Sequence, residues 1–401
     1  MSEKFSETAL SLNTILAGES HSLPSEKPHS LPVYSTSSYD VGSLENSISL
    51  FDGDKKGYVY SRYGNPTVEA LEEKIAWIEC GDNTGKAVMT SSGMSAISIV
   101  LFSILEKGDI CLTHDGLYGG STEVLELLSA KIGFKIIYAD LNDIDYLEKI
   151  QLQNSIKLIY FESPSNPLLR CIGIKSLADF AMKHQIVTVC DNTICTALLQ
   201  TPLQAGIDFS VYSTTKYLSG HGNSIAGCIV SKNTDIMVEK IRKNMRLIGA
   251  NCSPWEAWLT YNGMKTLALR LEKQCSNANH IAQFLENHPA VQKVHHNSLE
   301  SHIHHSIALK QMKDFAPLMS FELKNGLDGV SNFLSNIKII RHAPTLGDLD
   351  TLVLHPYSSS HRNIPTEIKT KLGIRPGLIR LSTGIEALDD IIQDLNRGLN
   401  N

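Results

Sequence analysis

No stretch of the chain is apolar for long enough to span a bilayer, and the opening residues, MSEKFSETALSLNTILAGESHS, lack the apolar core of a signal peptide. A membrane protein is not expected, and the cytoplasm is the default compartment. Basic residues are not in excess either: 36 Lys and Arg stand against 42 Asp and Glu, a formal net charge of -6. That balance provides no electrostatic footprint for nucleic acid and no polybasic patch for an anionic membrane surface. The eight cysteines, Cys80, Cys111, Cys171, Cys190, Cys195, Cys228, Cys252 and Cys275, fit neither a disulfide scaffold nor a CxxC metal site, so buried reduced thiols are expected. Internal repeats and low-complexity tracts are missing as well. What remains is a chain of 401 residues, 42% of them hydrophobic, which is enough for one large core and a smaller companion. Its chemistry is expected to be that of small molecules.

Between Lys86 and Cys228 short β-branched runs alternate with helix-like segments. The runs are KAVMTSS, DICLTHDG, KIIYADL, KLIYFESP, IVTVCDNT, FSVYSTTK and GCIVSK, the signature of an α/β unit with a mostly parallel sheet. Segments such as SAISIVLFSILEKG and IKSLADFAMKH carry apolar residues at three- and four-residue steps and supply the covering helices. A long helical pattern from Glu256 to about His288 reads as a connector. Beyond it, MSFELKNG, KIIRHAP and GLIRLSTG read as strands of a smaller α/β domain. The expected division is an arm over residues 1–61 that cannot form a core alone, a large domain over 62–256 and a smaller one over 257–401.

Open parallel sheets bind ligands at the carboxyl ends of their strands, and there the sequence is unusually polar. Ser91 to Gly93, His114 to Gly120, Glu162 to Pro167, Asp191 to Thr193 and Ser213 to Lys216 all follow strand-like runs. Lys216 stands at the end of a rigid element among hydroxyls that suit a phosphate, as a Schiff-base lysine must. Alone, it would read as an ordinary exposed lysine in a Ser/Thr loop. Asp191, one strand unit earlier, shifts that balance, because a carboxylate beneath a pyridine nitrogen keeps the nitrogen protonated and the ring electron-accepting. By itself it would read as a turn or helix cap. SSGMSAI follows a strand and opens a helix, so amides near Gly93 and Met94, with Ser92, offer an anion site, although a simple N-cap also accounts for Ser92. Tyr118 in DGLYGGS could stack on a ring or be a partly buried loop aromatic. GHGNSIAG falls short of a dinucleotide fingerprint, with Ile225 where the third glycine belongs.

The ordered motifs YVYSRYGNPTVEALEEKIAWIE, SSGMSAI, YGGS, ESPSNP, VTVCDNT, YSTTKYLSGHG, GMKTLALRLEKQ and GLIRLSTGIE cover most of the chain. In them the sequence resembles the Cys/Met metabolism enzymes that depend on pyridoxal 5'-phosphate (PLP), a family of cystathionine synthases and lyases, methionine γ-lyase and O-acylhomoserine sulfhydrylases. The resemblance implies PLP-dependent transferase fold type I, of the aspartate aminotransferase kind. It implies Lys216 as the cofactor anchor and proton relay, Asp191 at the pyridine nitrogen and Tyr118 on the ring. Ser92, Gly93, Met94, Ser213 and Thr215 would line the phosphate side, with Asn166 near the phenolic oxygen. Arg380 would grip the substrate carboxylate by its bidentate fork, with Thr345 in the substrate pocket. Tyr60 and Arg62 match residues that reach the phosphate of a neighbouring subunit, which implies a homo-oligomer, a tetramer built from dimers with shared sites.

The subfamily signals disagree. Gly120 replaces the cysteine of the well-known bacterial methionine γ-lyases, which counts against a dedicated methionine lyase. Pro344 precedes Thr345, Leu346 and Gly347 where several cystathionine-active γ-enzymes have glutamate, and Asn223 replaces a common aspartate. TLGDLDTLVLHPYSSSH is nearer in wording to sulfhydrylases and methionine lyases. The expected activity is therefore that of a carbon-sulfur lyase of the cystathionine β/γ-lyase kind, with O-acetylhomoserine sulfhydrylase or methionine γ-lyase as alternatives on amino-acid substrates. A catalytically silent PLP-fold binding protein is the rival outside enzymes, weakened because the lysine, aspartate, arginine and cross-subunit pair are all present. No metal is expected: His295, His296, His302, His304 and His305 in HHNSLESHIHHS read as solvated loop histidines, and Trp77, Trp255 and Trp258 as packing residues.

Overall fold

The computed structural model describes residues 11–18, 28–82 and 84–400. All seven apolar runs between Lys86 and Lys232 form strands: β1 (Lys86–Thr90), β2 (Ile110–Thr113), β3 (Lys135–Tyr138), β4 (Ile156–Glu162), β5 (Val187–Asp191), β6 (Phe209–Ser213) and β7 (Gly227–Ser231). They make one sheet in the order β1-β7-β6-β5-β4-β2-β3. The pairings from β6 through β3 are parallel, whereas β7 runs antiparallel to both β6 and β1. Thus the sheet is mixed rather than wholly parallel. The central strands β4 to β7 are buried almost throughout because helices cover both faces, and a strand covered twice needs an unbroken apolar run.

The helices in chain order begin with α1 (Leu12–Ala17) and α2 (Leu44–Asp52), which lie off the sheet, and continue with α3 (Pro66–Cys80), α4 (Gly93–Ile104), α5 (Gly119–Ile132), α6 (Ile144–Gln153) and α7 (Ile174–His184). Helix α3 starts as its sequence dictates, with Asn65 accepting from the Thr67 amide at 3.0 Å and Pro66 in the first turn. The expected single helix from Glu256 to His288 is two, Pro254–Met264 and Leu267–Glu286. Between them Lys265 and Thr266 tighten into three-residue bonds to Asn262 and Gly263, and the chain turns without losing its apolar period.

The second sheet has the order β10-β11-β12-β9-β8, from β8 (Val291–His295), β9 (Leu318–Leu323), β10 (Arg341–His342), β11 (Leu352–Leu354) and β12 (Leu378–Ser382). Only β10 and β11 are parallel, and one face of the sheet packs on the helices over 267–286 and 388–399. The arm expected over residues 1–61 also contributes to its own chain. Ile15, Leu16 and Leu31 join the main core, and the buried Lys74 ammonium donates to the carbonyls of Leu16 and Gly18.

All eight cysteines are buried and free. The histidine stretch departs from expectation: His296 and His302 are buried, tied through Nε2 to the carbonyls of Ala316 and Leu168. They fill a joint between elements instead of a solvated loop. No metal-binding group of His, Cys, Asp and Glu exists among the described residues. Trp258 donates to the Leu31 carbonyl, whereas Trp255, expected to pack, is more than half exposed. Among the described residues no helix is long and apolar enough to cross a membrane.

Candidate active site

The carboxyl ends of β4, β5 and β6 deliver Glu162, Asp191 and Ser213 to one place, and the turn after β6 brings Lys216 back over them. A cavity of about 450 Å³ opens there. It is lined by Lys216, Asp191, Tyr118, Ser92, Gly93, Met94, Asn166, Ser213, Thr215, Thr345 and Arg380, eleven of the residues singled out in the sequence. The first sheet provides the floor and one wall. β12 and the loop before β11 provide the opposite wall through Arg380, Pro344, Thr345 and Leu346.

The Lys216 ammonium donates to Thr345 Oγ1 at 3.1 Å. Burial, assisted by the nearby Arg380 charge, pushes its pKa down to about 8, while Asp348 pulls the other way. A lysine so placed is partly neutral near physiological pH and able to accept a proton. Arg380 is itself buried; its Nη2 donates to the Thr345 carbonyl at 2.6 Å, and its Nε has no partner. Asp191 is held by the amide of Thr193, which donates to Oδ1 at 2.9 Å, and burial raises its pKa. Tyr118 is the N-cap of α5 and, 38% exposed, lines the cavity.

Helix α4 points its first turn at the same cavity. Ser92 caps it, accepting from the Ser95 amide at 3.1 Å. The helix lies so close to β6 and β7 that a Cβ on Gly93 would fall 2.7 Å from Ser213 Cβ, and one on Gly227 would fall 2.2 Å from the Ser92 carbonyl oxygen. Glycine at both positions lets a helix N-terminus meet the hydroxyls beyond β6. Thr215 Oγ1 also ties that turn to β7, donating to the Ala226 carbonyl and accepting from the Ala226 amide.

PLP fits this set. Its phosphate would find the α4 N-terminus with Ser92, Ser213 and Thr215, and its pyridine nitrogen would find Asp191. Asn166 Oδ1 and Arg380 Nε, both at the cavity, are buried without hydrogen-bond partners, which is costly unless a ligand supplies them.

Tyr60 and Arg62 are not brought to this cavity. Arg62 donates from Nη1 to the Arg246 carbonyl at 2.9 Å and lies over the Tyr63 ring, while Tyr60 stays exposed. The sequence reading gave no individual role to Glu162, Thr193 or Arg362, which also line the cavity. Glu162 and Thr193 were visible as polar strand ends. Arg362 follows a loop and carried no comparable signal.

Known proteins resemble the chain along almost its whole length. The L-methionine gamma-lyase of Fusobacterium nucleatum subsp. polymorphum is 38% identical over 374 residues, 92% of this chain and 93% of that protein. The cystathionine beta-lyase of Lactococcus lactis subsp. cremoris (strain MG1363) is 40% identical over 370 residues, again 92% of this chain and 93% of that one. Among solved structures, cystathionine gamma synthase from Xanthomonas oryzae pv. oryzae, in complex with aminoacrylate and cysteine, superposes with a TM-score of 0.92 at 34% identity, covering 98% of both chains. The model of the Cys/Met metabolism PLP-dependent enzyme family matches residues 13–400. Since that match takes in every strand of both sheets and every residue of the cavity, this chain belongs to the Cys/Met metabolism PLP-dependent enzyme family.

Proposed function

We propose that the chain is a carbon-sulfur lyase of sulfur amino-acid metabolism, of the cystathionine β/γ-lyase kind, acting by β- or γ-elimination. The observation that carries this reading is the juxtaposition, in one cavity, of the Lys216 amine held on Thr345, a buried Arg380 with an unused donor, and Asp191 at the floor. When bound, PLP supplies an electron sink for the charge left at the substrate α carbon. Arg380 receives the substrate α-carboxylate, using the Nε that has no protein partner. Lys216 Nζ takes the α proton, because burial has made the amine a base near neutral pH, and it carries that proton to the departing sulfur. Thr345 Oγ1 orients the amine, and Asp191 would keep the pyridine nitrogen protonated. Tyr118 would cover the ring, Asn166 would meet the phenolic oxygen, and Ser92, Gly93, Met94, Ser213 and Thr215 would hold the phosphate.

The same reading divides the chain into an arm over 1–61, a PLP-binding domain over 62–256 and a smaller domain over 257–401, working in the cytoplasm. It makes the active form a homo-oligomer, a tetramer of dimers, in which Tyr60 and Arg62 serve the neighbouring subunit's phosphate. Their separation from the cavity of their own chain supports that role.

Methionine γ-lyase chemistry is the second reading, favoured by relatives that carry that name. Position 120 weighs against it, since even a Cβ there would sit 2.7 Å from the Tyr118 ring. Incubating the PLP-loaded protein with cystathionine, methionine, cysteine and O-acetylhomoserine, with and without sulfide, separates the readings. Fastest release of thiol from cystathionine is expected. Turnover of O-acetylhomoserine that requires sulfide would make the protein a sulfhydrylase, and preference for methionine would make it a methionine lyase.

A further inference from the structure

We infer that Glu162 is a positioning residue of the cofactor seat, a buried carboxylate that ties Tyr118, above the ring, to the strand end beside Asp191, beneath it. The inference rests on the reading of Asp191 and Tyr118 given above. Glu162 ends β4 as Asp191 ends β5, and the two are register partners on adjacent parallel strands. Both oxygens of Glu162 accept from the Tyr118 amide at 3.0 Å, and Oε1 also accepts from Ser121 Oγ at 2.9 Å. Its own amide donates to His114 Nε2 at 3.2 Å, so β2 pins the same point.

These contacts fix the point at which α5 begins. Tyr118 occupies the N-cap position without a side-chain capping bond, and its own amide is one of those that a helix start leaves without an intrahelical acceptor. A serine, threonine or aspartate at that position would cap the helix locally. Instead an aromatic residue stands there, and its own amide finds its acceptor at a strand end 44 residues further along the chain. The ring of Tyr118 is thereby located relative to β4 and β5 and not merely to its own loop.

The carboxylate is also in an expensive place. Glu162 is 5% exposed and makes no ion pair among the described residues. Burial and the neighbouring Asp191 push its pKa up to about 8, against the hydrogen bonds from Tyr118 and Ser121. The other buried acids among the described residues have local duties outside the cavity, and Glu322 pairs with Arg375. Glu72 pairs with Arg242, Asp394 accepts from the amides of Lys338, Ile339 and Ile340, and Glu79 takes the hydroxyls of Ser210 and Tyr212. Glu162 alone of these lines the cavity, where a cationic pyridinium above Asp191 would relieve the crowding of like charges.

The test compares Glu162→Gln, Glu162→Ala and Glu162→Asp with the wild type. The apo proteins are titrated with PLP, and the visible circular dichroism of the bound cofactor is read alongside kcat and KM for cystathionine. Gln keeps an acceptor at the same reach, so its dichroism and PLP affinity should stay within about threefold of wild type. Ala removes the acceptor and Asp withdraws it by one methylene. In both, the dichroism should collapse, the Kd for PLP rise by at least about tenfold, and kcat fall more than KM changes. Wild-type dichroism and kcat in Ala or Asp would overturn the inference, as would a Gln variant no better than Ala. If the Ala variant does not fold, the Gln and Asp pair decides by the same readouts. A wild-type protein that shows no visible dichroism with PLP would defeat the reading of the site itself, an outcome distinct from any of these.

Discussion

At the scale of single residues, Asp191 offers the sharpest separation of catalysis from folding. Burial raises its pKa, so the fold tolerates its neutral form better than its charge, and Asn has that neutral shape with an oxygen able to accept from the Thr193 amide. Asp191→Asn should therefore leave the thermal midpoint of the apo protein unchanged or slightly raised. The charge itself is what an electron-accepting ring requires. We expect kcat to fall on the order of 100-fold with KM moving less than about threefold, the pattern of a preorganised charge lost from the transition state. Steady-state kinetics on cystathionine beside a melting curve checks both halves, and near wild-type kcat would remove Asp191 from the site. Asp191 and Lys216 were legible because each ends an apolar run, and a strand end is a place that sequence can mark. Glu162 ends a run just as clearly. Its partner, the Tyr118 amide, is brought to it only by the pairing of β2 with β4, which no local pattern encodes.

At the scale of elements, the phosphate side depends on how closely α4 approaches the strands behind it. Gly227 is the tightest point, with the Ser92 carbonyl oxygen 2.2 Å and the Gly93 nitrogen 2.7 Å from where a Cβ would be. Both neighbours are backbone, so relief requires moving the start of α4. Gly227→Ala should cost roughly 1–3 kcal/mol of stability by overpacking and should weaken PLP binding in the same protein, since the displaced turn carries Ser92, Gly93 and Met94. Denaturant unfolding of the apo protein, paired with a PLP titration, measures the two effects; destabilisation with unaltered PLP affinity would detach the α4 N-terminus from the phosphate. Every run read as a strand between Lys86 and Lys232 is one, because apolar β-branched segments bounded by polar residues have few other uses. Strand direction was not legible: β7 has the same composition as its neighbours yet runs against both, which follows from the short return after Lys216. β8 and β11 carried no strand signal, the first because the adjacent Gln292 and Lys293 break its apolar run, the second for its length of 3 residues.

At the scale of the whole molecule, buried histidines set how the fold responds to acid. His114 is held down to about 3, and His296, His302 and His361 to about 4, in each case chiefly by burial. A depressed folded pKa means that the unfolded chain binds the proton first as pH falls through about 6.5. Stability is then lost between that point and the folded values, at roughly 1.4 kcal/mol per pH unit for each fully buried histidine. The raised carboxyls of Glu69, Glu73, Glu79, Glu162, Asp191 and Asp348 act in the opposite sense, but these six stand against eight histidines held down by burial, since His288, His295, His304 and His355 join the four named above. Denaturation midpoints of the apo protein should fall from pH 7 to pH 5, and a flat profile would contradict this account. The remaining question of assembly turns on Arg62, which reaches the Arg246 carbonyl of its own chain and not the cavity that holds Lys216. If Arg62 completes a neighbour's site, Arg62→Ala and Lys216→Ala proteins are each inactive as homo-oligomers, for different reasons. A mixed pair, however, contains one site with an intact Lys216 and an intact donated Arg62. Denaturing and refolding the two together should restore activity, up to about a quarter of wild type if random pairing forms half of the dimers as hybrids with one working site each. Were Arg62 to act within its own chain, each site would lack one of the two residues in every combination. A thoroughly exchanged mixture without recovery would therefore place Arg62 in its own subunit, and recovery that tracks the hybrid fraction would make oligomerisation a condition of catalysis.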